Sequence, residues 1–100
     1  MKTFKCISID INEFWPWLYC TDSQVLEWVI TELVKMFPGS RIGKKDTFPS
    51  GDIYRIRIDG GPGFPMGYWI IKLLVTNGWE PFAYEAEGLS LHLKFIEDLS

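Results

Sequence analysis

The chain is poor in the residues that most often carry chemistry. It has one histidine, His92, and two cysteines, Cys6 and Cys20. No CxxC pair and no Cys/His cluster occurs, so no structural zinc site is expected, because such sites need four N or S ligands. Asp10 and Glu13 offer carboxylates, but calcium takes about six to eight oxygens, so neither a metal nor a cofactor is expected. A basic excess is also missing: the net charge is −3 and the pI about 5.0. Nucleic-acid binders neutralise phosphates with Lys and Arg, so this balance argues against a nucleic-acid partner. Arg41, Lys44 and Lys45 read as a solvated turn. No apolar run reaches the ~18 residues of a membrane span. The opening MKTFKCISIDINEF has its apolar run broken by Ser8 and Asp10 and no small-residue cleavage site, so it is not expected to be a signal peptide. A cytoplasmic protein with reduced thiols is expected. A Cys6–Cys20 disulfide stays open at this level.

What the chain has is core. One hundred residues, 47% hydrophobic and 23% charged, describe a single globular domain over 1–100. Aromatics reach 16%, with five Trp.

Residues 3–11 alternate, with Lys5, Ile7, Ile9 and Ile11 on one face and Phe4, Cys6, Ser8 and Asp10 on the other, which predicts a strand. Residues 12–20 crowd Phe14, Trp15, Trp17, Leu18 and Tyr19 around Pro16. Proline removes a donor and bars a helix interior, so this stretch is expected as a loop. Its rings either fold over the sheet, as most rings do, or present an aromatic surface to a partner.

Residues 22–37 predict a helix. Thr21-x-x-Gln24 resembles a capping box, Leu26, Val29, Ile30, Leu33 and Phe37 recur at helical spacing, and Pro38-Gly39 ends it. Residues 40–59 read as a hairpin around Pro49-Ser50-Gly51, with Tyr54, Ile56 and Ile58 facing one way and Ile53, Arg55 and Arg57 the other. Residues 65–77 fit either a helix or a strand. Helix is favoured, because Tyr68, Lys72 and Thr76 form one four-spaced polar stripe and Asn77-Gly78 is a left-handed stop. In residues 79–96 a turn at Glu87-Gly88 pairs Tyr84 with Leu91 and Phe82 with Leu93.

The order β-α-β-β-α-β-β is a ferredoxin-like split-βαβ plan with one extra strand, two helices on one face of an antiparallel sheet. The open face would carry Arg55, Arg57, Glu85, His92 and Lys94, with the arginines pairing with Glu85 and Phe4 as its one ring. An apolar helix followed by Gly78-Trp79-Glu80 and a strand, over residues 66–84, resembles a set of small domains of unknown function. That resemblance implies a helix at 65–77 and carries no activity.

The loop at residues 60–67, GGPGFPMG, joins a strand to a helix, where backbone amides can hold an anion. Two prolines remove donors and the Gly-Lys-Ser/Thr of a phosphate loop is missing, so it reads first as a tight crossover. His92 lies across from Ala83 and within diagonal reach of Glu85, a general-base geometry with no nucleophile assigned beside it.

The leading functional expectation is therefore a non-enzymatic module that docks a protein partner, a second copy included, through Trp15, Trp17 and Tyr19 or through a sheet edge. The alternative is an anionic-metabolite binder or small enzyme using Gly61, Gly63, Arg55, Arg57, Glu85 and His92.

Overall fold

Two strands, not one, precede the first helix. The computed structural model describes residues 2–10, 15–49, 51–61, 66–85 and 90–98, and the side chains of these apart from 2–4, 85, 90 and 93–98. The elements are β1 (Lys2–Asp10), β2 (Trp17–Cys20), α1 (Ser23–Met36), β3 (Arg41–Thr47), β4 (Tyr54–Asp59), α2 (Met66–Thr76), β5 (Glu80–Glu85) and β6 (Ser90–Asp98). The six strands form one antiparallel sheet, ordered β3-β4-β2-β1-β6-β5. Both helices pack on one face of it.

The expected element order thus gains β2, cut from a stretch read as a loop. Pro16 stands just before the strand, where its missing N–H breaks no ladder bond, and its carbonyl accepts from the Ile58 N–H at 3.0 Å. From Trp17 the chain alternates: Leu18 and Cys20 are buried, Trp17 and Tyr19 half-buried. Ile9 and Ile56 flank Leu18 in register. The strand that feeds α1 is therefore β2. It runs parallel to β3 with β4 between them, which is a split βαβ unit. Strand β1 and the β5–β6 hairpin extend the sheet beyond it.

Helix α1 buries Val25, Leu26, Val29, Ile30 and Leu33, the apolar stripe of the sequence. Its cap is Asp22 rather than Thr21: the Asp22 carboxylate accepts from the Gln24 N–H at 2.9 Å, satisfying one of the orphan donors of the first turn. Residues 65–77 do contain a helix. It buries Met66, Gly67, Ile70 and Leu74, and leaves Tyr68, Lys72 and Thr76 exposed. Gly78, at φ +94°, turns the chain out of it. Beneath the helices Ile7, Ile9, Leu18, Cys20, Ile56 and Ile58 complete one continuous core with Trp79. Ile11 lies outside the described residues.

In the final hairpin Tyr84 pairs with Leu91 and Ala83 with His92, as the alternation requires. A register shift between Pro81 and Ala83 sets Pro81, not Phe82, opposite Leu93. The Glu87-Gly88 turn lies outside the described residues. The expected pairing of Arg55 and Arg57 with Glu85 does not form, because β2, β1 and β6 stand between β4 and β5. Cys6 and Cys20 are free thiols. Ile7, not Cys6, is the register partner of Cys20, so the two cysteines belong to opposite sheet faces and cannot bridge without backbone movement. No helix among the described residues is long and apolar enough to cross a membrane.

Candidate binding face

The antiparallel registers line up residues across the sheet face that the helices leave open. One row reads Asp46, Arg55, Tyr19, Ser8, His92, Ala83, from β3 to β5. Beside it runs Lys44, Arg57, Trp17, Asp10. Trp17 and Tyr19 therefore project from a central strand.

Cations gather over these rings. The Arg55 guanidinium carbon lies 4.6 Å from the Trp17 ring centroid and 5.4 Å from that of Phe48. Arg57 lies 5.8 Å and the Lys44 ammonium 6.0 Å from Trp17. Such contacts are worth about 0.5–1 kcal/mol each at exposed sites. Tyr19 packs on Phe48 with centroids 5.9 Å apart. Carboxylates fix the guanidinium planes through two-point bonds. Asp46 takes Arg55 Nε at 2.5 Å and Nη2 at 2.9 Å; Asp59 takes Arg57 Nε at 2.8 Å and Nη2 at 3.0 Å. By alternation alone Phe4 is the one ring expected on this face. Trp17, Tyr19 and Phe48 stand there instead, because β2 replaces a loop and the residue after β3 folds under Tyr19. The Phe4 side chain is outside the described residues.

At the β6 end, the Ser8 hydroxyl and His92 Nδ1 are 2.6 Å apart. The Phe82 ring is 6.2 Å from the imidazole.

The ion pairs make stability depend on acid. The bonds from Arg55 and Arg57 hold the carboxyls of Asp46 and Asp59 below the usual carboxylate range, and the bond from Lys5 does the same for Asp22. Asp46 in turn raises the pKa of Arg55. A carboxyl that is more acidic in the folded state stabilises the fold above its unfolded value of about 3.9. That stabilisation is lost as pH falls from there through the lower folded values. The melting temperature should therefore hold from pH 7 to about 5 and fall below about 4. Asp46→Asn and Asp59→Asn should flatten the fall. Calorimetry at stepped pH checks this, and a melting temperature unchanged between pH 5 and 3 would contradict it. Burial, by contrast, pushes the Cys20 thiol up, which makes it a poor nucleophile.

Of the residues singled out in the sequence, Trp17, Tyr19, Arg55 and Arg57 meet in one cluster, and His92 shares their face. Arg55 and His92 are three strand spacings apart, about 14 Å, so they do not converge on one small ligand. Trp15 is half-buried in the bend before Pro16. Gly61 follows β4, where an added Cβ would meet Met66 and Ser40 on the helix side of the sheet. Gly63 and the Glu85 side chain lie outside the described residues. Phe48 is not singled out by the sequence, and Ser8 is readable there only as a residue whose face relative to His92 is open. The alternation of Trp17-Leu18-Tyr19-Cys20 after Pro16 was the available signal for β2, and with β2 in place Ser8 follows from the register.

Comparison with known protein families, with curated proteins and with solved structures finds no match to this chain.

Proposed function

We propose that this domain is a non-enzymatic protein-interaction module whose open sheet face docks a second copy of the chain. The observation that carries the reading is the Trp17–Tyr19–Phe48 cluster with Arg55 held over its rings, on a face no other element covers among the described residues. Rigid aromatics and arginines of this kind dominate protein interfaces.

Sheet edges are the weaker docking route. Edge strand β3 has Lys44, Lys45 and a register shift, and edge strand β5 has Pro81 and another. These are the devices that blunt edge pairing. The face also has a charge gradient. Arg41, Lys44, Arg55 and Arg57 lie toward β3 with Asp46 and Asp59, and the registers place Asp10, Glu80 and Glu85 toward β5 with Lys94. A two-fold pairing sets the basic end of one copy against the acidic end of the other. Nucleic acid fits less well: Arg55 and Arg57 already hold carboxylates, and the chain is acidic overall. The free thiols suit a cytoplasmic setting. Within the fold, we read the split βαβ unit as a ferredoxin-like plan in which β1 takes the place of its last strand.

Light scattering with size exclusion tests the reading. Wild type should run as a dimer at high concentration, and Trp17→Ala and Arg55→Glu as monomers with unchanged far-ultraviolet circular dichroism. A wild type that stays monomeric to millimolar concentration rejects self-docking.

A second reading rests on the Ser8–His92 contact, a nucleophile–base geometry. Hydrolysis of activated esters that is the same in wild type, Ser8→Ala and His92→Ala would remove it.

A further inference from the structure

On the other side of the sheet, a recess of about 320 Å³ opens where the start of α1 meets the end of α2. That volume is at the small end of the range for ligand pockets, about 300–1,000 Å³. Trp28, Trp79 and Val25 supply its apolar wall, and Lys5, Asp22 and Gln24 its polar side. Trp79 is 6% exposed, so that wall is anchored in the core.

The polar side is built rather than incidental. Asp22 is the cap of α1, and its Oδ1 is held by the Gln24 N–H. Its Oδ2 lies 3.1 Å from the Lys5 ammonium. Lys5 comes from β1, so strand and helix together hold one cation and one anion side by side at the rim of an aromatic recess. A carboxylate offers about four lone-pair sites, so Asp22 has capacity beyond these bonds. A ligand bearing only a negative charge meets Asp22, and one bearing only a positive charge meets Lys5. A ligand bearing both, on neighbouring atoms, completes an alternating set of four charges.

We propose that this recess binds a free α-amino acid with a large apolar side chain. Its carboxylate meets Lys5, its ammonium meets Asp22, and its side chain packs on Trp28 and Trp79. The site is independent of the open face, being on the opposite side of the sheet.

Amide and indole NMR signals of the ¹⁵N-labelled protein, titrated separately with L-phenylalanine, 3-phenylpropionate and phenethylamine to millimolar excess, test the proposal. L-phenylalanine should shift the Trp28 and Trp79 indole signals. Each singly charged analogue should bind about tenfold more weakly or worse, since a hydrogen bond to a charged group is worth about one factor of ten or more. Lys5→Met and Asp22→Asn should each weaken L-phenylalanine by a similar factor. Asn is as good a helix cap as Asp, so Asp22→Asn removes the charge and keeps α1, which circular dichroism verifies. The proposal is overturned if L-phenylalanine leaves both indole signals unmoved, if the three compounds bind alike, or if both variants bind as wild type does.

Discussion

Replacing Leu18 by Ala is expected to lower the free energy of unfolding by about 3–5 kcal/mol. Leu18 is fully buried, and its register neighbours Ile9 and Ile56 are buried too. Strands on both sides and the helix layer hold the site open, so the truncated side chain leaves a cavity that cannot collapse. Domains of this size have a total stability of about 5–15 kcal/mol, so the variant is brought close to unfolding. Trp17→Ala, one residue away, should cost less, because the Trp17 ring is only half-buried and the guanidinium groups of Arg55 and Arg57 over it are held by Asp46 and Asp59 as well. Urea titration checks the contrast through the midpoint at constant slope. A Leu18→Ala protein as stable as wild type would remove β2 from the sheet, and the proposed binding face with it.

Gly60→Ala should be nearly as damaging, by about 2–4 kcal/mol. Gly60 has φ +80°, and an added Cβ would overlap the Gly39 carbonyl oxygen. The left-handed conformation alone costs an L-residue about 1–2 kcal/mol. The overlap is with backbone, so no rotamer relieves it. The turn after α1 and the turn after β4 would have to separate. Gly51 is the control: its φ is +79°, but nothing lies within 4 Å of an added Cβ. Gly51→Ala should show the dihedral cost and little more, about 1–2 kcal/mol. Thermal denaturation of the two variants separates the terms, and equal losses would mean that the close approach to Gly39 contributes nothing.

Local patterning made both helices legible. Leu26, Val29, Ile30 and Leu33 recur at 3.6-residue spacing, and every one is buried. The four-spaced stripe of Tyr68, Lys72 and Thr76 separated helix from strand in the most apolar segment, because a strand would have set Lys72 in its interior. Alternation was just as informative in Tyr54–Asp59, whose isoleucines are buried and whose arginines face the other way. Two misreadings have one origin. A proline and a crowd of rings read as a loop, although the residues after the proline alternate as a strand does. With β2 missing, the open face appeared charged and almost without rings.

The chain is scarce in reactive side chains, with one histidine, two cysteines and no basic excess. The two hydrophobic periodicities determined, without coordinates, an α+β domain with helices on one side of a sheet. They act through local geometry, in which each side chain's direction follows from its own position along the chain. The rest was decided by which strands became neighbours. Only the order β3-β4-β2-β1-β6-β5 sets Arg55 over Trp17, joins Ser8 to His92 and keeps Arg55 far from Glu85. Strand order is a non-local choice, made by burying Leu18 between Ile9 and Ile56, and no window of sequence contains all three.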